Sequence, residues 1–116
     1  MSVRVLLRLE GLAIAAVGVA LYSEVDVSWW LFLALILAPD LAFIGYAAGA
    51  ATGAFAYNLT HNLILPIALG ATGVVADSDP ATAVALVWLT HIGVDRLLGY
   101  GLKYPTAFKD THMQRV

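Results

Sequence analysis

Between Asp26 and Asp77 the chain runs for fifty residues in which only Asp40 and His61 are acidic, basic or histidine. A helix on the surface of a water-soluble fold needs a polar stripe along one side, and nothing in this stretch supplies one. The whole chain shares the bias: 12% of its 116 residues are charged, against ~25% for an ordinary soluble domain. The segment therefore belongs in lipid. At a rise of ~1.5 Å per residue one crossing takes about 20 residues, so this stretch makes two crossings folded back on each other. Composition closes other routes as well. Six Lys and Arg against eight Asp and Glu leave no basic patch for a nucleic acid, and the lack of cysteine removes disulfides and thiolate chemistry.

These patterns predict an all-α, integral membrane four-helix bundle. Its spans fall at about 3–22, 28–47, 52–75 and 81–100, with a polar tail over 103–116. Gly45, Gly49 and Gly53 interrupt an alanine run and mark the turn between the middle spans. Pro80 suits the start of the fourth helix. Leu21-Tyr22-Ser23 lacks the small-x-small pattern of a cleaved signal peptide, so the first helix is expected to stay in the protein. Arg4, Arg8, Arg96, Lys103, Lys109 and Arg115 gather on one side, while the opposite loops carry only Glu24, Asp26, Asp77 and Asp79. The positive-inside rule then makes both termini cytoplasmic. Trp29 and Trp30 fall at the outer interface, and Tyr46, Tyr100 and Tyr104 near the inner one.

An ionisable side chain inside a bilayer costs roughly 2.5–3.5 kcal/mol on insertion scales, so each one is a functional candidate. Here they are Glu10, Asp40, His61, His91 and Asp95. Each lies roughly 8–15 Å from the cytoplasmic end of its span, and a shared depth predicts one shared site. His91 and Asp95 are four residues apart and face the same way, as do Asn58, His61 and Asn62. Pro39 frees a carbonyl near Leu35 and kinks the second span, which lipid tolerates only toward protein, water or an ion. Imidazole with carboxylate suits a divalent zinc, iron or manganese ion, in the manner of metal sites between facing helices of a bundle. The candidate ligands are Glu10, Asp40, His61, His91 and Asp95, with His112 from the tail. A hydrolytic version uses Asp40 or Glu10 as general base; Asn58, Asn62 and Arg96 complete the polar layer.

Plainer readings stand beside these. His91 and Asp95 can simply join helices by a hydrogen bond, or Asp95 can orient His91. Glu10 can pair with Arg96, and Trp88 can be packing. The ligand spacing matches no strict metal motif such as H-E-x-x-H, and the Asn58-Leu59-Thr60 glycosylation pattern falls inside a span. The tail, bent by Gly99, Gly101 and Pro105, is either solvated against anionic headgroups or folded back so that Asp110 and His112 cap the polar layer.

Several blocks together resemble one family. They are Arg8-Leu-Glu-Gly11, Trp29-Trp-Leu-Phe32, Ala38-Pro-Asp-Leu41, Tyr57-Asn-x-x-His61, His91-Ile-Gly-x-Asp95-Arg96, Gly99-Tyr-Gly-Leu-Lys-Tyr-Pro105 and Phe108-Lys-Asp-Thr-His112. The chain is similar, over nearly its whole length, to the domain-of-unknown-function 4260 family of small bacterial membrane proteins. That resemblance implies a four-helix protein of the bacterial cytoplasmic membrane and no particular activity. Two looser likenesses shape the functional alternatives. Membrane hydrolases of the alkaline-ceramidase type surround zinc with three histidines and an aspartate, a role Asp40 can fill. Small multidrug-resistance transporters share the length, four spans and a glutamate on the first helix, which implies proton coupling through Glu10. A haem between His61 and His91 leaves the carboxylates of the same layer unexplained.

The leading expectation is a four-helix membrane bundle with a metal-binding His/Asp/Glu site in its cytoplasmic half, whose catalytic version is a metal-dependent hydrolase acting on a lipid or other membrane-delivered substrate. The alternatives are a small proton- or ion-coupled transporter acting as a homodimer, and a structural or partner-binding membrane protein.

Overall fold

A computed structural model describes residues 1–116 and is all-helical. Four helical segments are long and apolar enough to cross a membrane: Val3–Tyr22, Trp29–Ala48, Ala50–Val75 and Asp79–Leu98. The outer two are unbroken. Helix α1 (Val3–Tyr22) begins where the Ser2 side chain accepts from the Val5 N–H. The last helix begins in the same way, Ser78 accepting from Ala81, and ends at Gly99 with φ of 94°. These are ordinary N-caps and a left-handed glycine C-cap.

The two middle crossings are broken, for a shared reason. Proline has no N–H and its ring collides with the carbonyl four residues back. Pro39 strikes Leu35, and helix α2 (Trp29–Leu35) ends there before the chain continues as a tighter 3-10 helix, Ala38–Ala48. Pro66 strikes Asn62, and helix α3 (Ala50–His61) stops with Asn62 as its C-cap before α4 (Ile64–Val75) resumes. The sequence reading anticipated the first break and took 52–75 as one continuous helix, overlooking Pro66. Asn62 manages the second break: its Oδ1 accepts from Ile64 and Leu65, and its Nδ2 donates to the carbonyls of Asn58 and Leu59. Gly49, at φ 116°, is the whole turn between the 3-10 helix and α3. A Cβ on Gly45 would lie 2.8 Å from that of Ala56, so this glycine run serves a tight turn with its own packing.

The last helix, α5 (Asp79–Leu98), is the hub, packed against α1, α4 and α2. Gly11, Ala15, Gly18 and Tyr22 form the buried side of α1; the first three make a small-residue face that lets backbones approach closely in lipid. A Cβ on Gly93 would sit 2.6 Å from the Ala15 nitrogen and 2.7 Å from the Gly11 carbonyl oxygen. Leu33, Leu41, Ile44, Phe55 and Ile64 are exposed on the outside of the bundle, as spans facing lipid would leave them. Both termini meet at one end, where Arg4 donates to the carbonyls of Met113, Gln114 and Val116 and Arg8 to that of Leu97. Tyr22, Trp29 and Phe32 cluster at the other end.

Candidate metal centre

Four side chains from three elements converge between the broken crossings: Asp40 from the 3-10 helix, His61 at the end of α3, and His91 with Asp95 one turn apart on α5. The two histidines are buried, while the Asp40 and Asp95 side chains keep 34% and 15% of their exposure. The backbone breaks orient them. In a continuous α-helix the Ile36 carbonyl would accept from Asp40; instead the Asp40 N–H turns to Leu37 at 3.0 Å. The freed Ile36 carbonyl takes the Nδ1 of His91 at 2.5 Å. His61 Nδ1 lies 2.8 Å from the Tyr57 carbonyl, and its ring stacks on Tyr57 with centroids 3.6 Å apart. A carbonyl only accepts, so in both histidines Nδ1 carries a proton, and Nε2 of the neutral ring presents a lone pair.

Those two lone pairs meet each other and the two carboxylates. The Nε2 atoms are 3.2 Å apart. Asp40 Oδ1 lies 3.2 Å from His61 and 3.1 Å from His91, and Asp95 Oδ2 lies 3.4 Å and 3.2 Å from the same atoms. A tetrahedral ion with bonds of about 2.0–2.1 Å has ligand atoms about 3.3–3.4 Å apart. Five separations, 3.1–3.4 Å, lie at or just below that edge, and all four ligand atoms lie within 4.8 Å of one another. Four acceptors turned inward at this spacing call for a cation, and Nδ1 donating to a backbone carbonyl is the usual outer partner of a metal-ligating histidine. The group can hold a metal ion.

Supports around the centre come from α5 and the tail. Trp88 Nε1 donates to the Thr60 carbonyl at 2.5 Å, and Arg96 to that of His61 at 3.2 Å, so the carbonyls exposed by the α3 break have donors. The Thr60 hydroxyl reaches the Pro39 carbonyl at 3.0 Å and ties the two breaks together. Asn58 clasps the Lys103 backbone twice, accepting from its N–H and donating to its carbonyl, both at 2.7 Å. A cavity of about 280 Å³ opens beside the carboxylates, lined by Asp40, Tyr57, Asp95, Tyr100, Lys103 and Phe108 among others.

Two expected ligands stand elsewhere. Glu10 is exposed on α1 and forms no ion pair. It immediately precedes Gly11 on a helix that turns about 100° per residue, so presenting Gly11 to α5 carries Glu10 off that face. Arg96, its suggested partner, instead bonds the carbonyls of His61 and Tyr100. His112 is taken up within the folded-back tail, its Nδ1 accepting from the Leu102 N–H at 2.8 Å. Burial, then the nearby Arg96 guanidinium, lowers its imidazole below the ordinary range. Asp110 does not cap the layer either: Thr106 and Arg115 hold it at the surface. Asn58 and Asn62 act as latch and helix cap. Of the two expectations for the tail it is the folded-back one that the structure shows, and Lys103 within it is buried with 7% exposure; a lysine five residues past a span carries no mark of that. Trp88, read as packing, also satisfies a freed carbonyl.

The chain belongs to the family defined by the domain of unknown function DUF4260, whose model matches residues 4–116. No curated protein and no solved structure matches it.

Proposed function

We propose that His61, His91 and Asp95 hold one divalent ion, zinc, iron or manganese, with Asp40 beside them as the base, and that the ion serves hydrolysis of a lipid or other membrane-delivered substrate. One observation carries the reading: both histidines spend Nδ1 on backbone carbonyls, so their Nε2 lone pairs converge with two carboxylates at tetrahedral-edge spacing. Such an ion supplies Lewis acidity to a carbonyl or phosphoryl oxygen. The chain's own residues do the rest. Asp40, the more exposed carboxylate, lines the cavity and is placed to take a proton from water there. Glu10, the other candidate base, is outside the site. The protein is read as a multi-pass protein of the bacterial inner membrane with the centre in its cytoplasmic half. In support, Arg4, Arg8, Arg96 and Lys103 cluster at the end where the termini meet. A proton-coupled homodimer working through Glu10 or Asp40 leaves the paired lone pairs without a purpose.

The test is elemental analysis of detergent-purified protein beside a His61→Ala, His91→Ala double variant. Stoichiometric metal in the wild type, lost from a variant that keeps its helical circular dichroism, supports the centre. A wild type that takes up no zinc, iron or manganese after reconstitution overturns it.

A further inference from the structure

Lys103 is the only amine lining the cavity beside the candidate metal centre. Of its three N–H bonds one is used, to the Phe108 carbonyl at 2.7 Å. The faces of Phe108 and Tyr57 lie 3.6 Å and 4.6 Å from Nζ, and it joins no ion pair. Its backbone is fixed by both arms of Asn58, so the ammonium is held at the cavity rather than draped over it. Burial lowers its pKa from the ordinary lysine value. Charge counting then points outward from the protein. Two aspartates and one divalent ion cancel, which leaves the Lys103 ammonium as the uncompensated charge facing the cavity.

Building on the metal-centre reading, we infer that this cavity is an anion subsite in which Lys103 binds the phosphoryl group of a phosphate ester. A neutral amide or carboxylic ester would leave the ammonium opposite a neutral group. A phosphate ester carries its charge on the group under attack, so its oxygens can reach the ion and Lys103 together. In the reaction the water oxygen bonds to phosphorus, and the ester P–O bond breaks with its electron pair on the alcohol oxygen. The proton taken from water through Asp40 ends on that alcohol.

Isothermal calorimetry with inorganic phosphate tests this on detergent-solubilised wild type, Lys103→Met and Lys103→Arg, with zinc content measured separately. The expected result is phosphate binding to the wild type, weakened about 10–100-fold in Lys103→Met and restored toward wild type in Lys103→Arg, with zinc content equal in all three. Absence of phosphate binding by zinc-loaded wild type overturns the subsite whatever the variants do, as does equal binding by a zinc-replete Lys103→Met. If the wild type takes up no zinc, iron or manganese, the metal centre falls, and phosphate titrated into the metal-free chain decides Lys103 separately: Lys103-dependent binding keeps the subsite and its absence removes it. Competition by glycerol phosphate and by short-chain phosphatidic acid identifies the source of the phosphoryl group. Tighter competition by the lipid assigns a membrane substrate, and equal competition a soluble one.

Discussion

The unbroken pair, α1 and α5, and the broken pair, Trp29–Ala48 and Ala50–Val75, solve the same problem differently. An unbroken helix satisfies its own backbone, so in lipid it needs only close packing, and Gly11, Ala15, Gly18 and Gly93 provide it. The broken pair releases carbonyls at membrane depth, where an unpaired polar group is costly. Asn62 supplies one donor from within, to Leu59, and α5 supplies three more: His91 for Ile36, Trp88 for Thr60 and Arg96 for His61. The contrast teaches where the chemistry comes from. Satisfying the backbone of a broken helix is what turns His91 so that its free nitrogen faces Asp40 and His61.

The comparison breaks most severely at its packed half. In Gly93→Leu the new side chain meets backbone of α1, which cannot rotate aside; overpacking costs about 1–3 kcal/mol in ordinary cores, and the loss here should reach or exceed that range. Thermal unfolding in detergent should fall sharply, and an unchanged midpoint would disprove the close approach. The broken half is sharpened by Pro39→Ala, which lets α2 continue so that the Ile36 carbonyl regains the Asp40 N–H. His91 then loses its acceptor, and zinc affinity should drop about tenfold, as for loss of an outer partner, with helicity kept or raised. Unaltered affinity would separate the break from the site. The smallest effect is in the tail. The Arg115 guanidinium, with the Thr106 hydroxyl, holds the Asp110 carboxyl at about 2, below its unfolded value of about 3.9. Its contribution is complete above about pH 4 and disappears as pH falls through about 2. Nuclear magnetic resonance of residues 103–116 should show the Asp110–Arg115 contact loosening over that window, and Asp110→Asn should show it loosened at neutral pH.

Much of this was legible along the chain. The near-absence of charge from 27 to 76 dictates lipid, Pro39 announces a break, and the i,i+4 spacing of His91 and Asp95 puts both on one side of a helix. Shared depth brought Asp40, His61, His91 and Asp95 together in the reading and drew Glu10 in with them. Depth is a coordinate along the helix axis; rotation about that axis decides contact, and Gly11 claims the inward face of α1. Pro66 could have been read by the rule applied to Pro39. The position of Lys103 could not, because it depends on Asn58 capturing a tail that begins beyond the last helix.

The sequence by itself determined the helical class, four segments long and apolar enough to cross a membrane, and which side chains would be costly there, because hydropathy and proline chemistry are local properties. Only the tertiary structure decided which of those side chains meet, which histidine nitrogen carries the proton and which lysine faces the cavity. Those depend on helix rotation and on carbonyls offered by other segments, and the bilayer forces each freed carbonyl to find its donor within the protein.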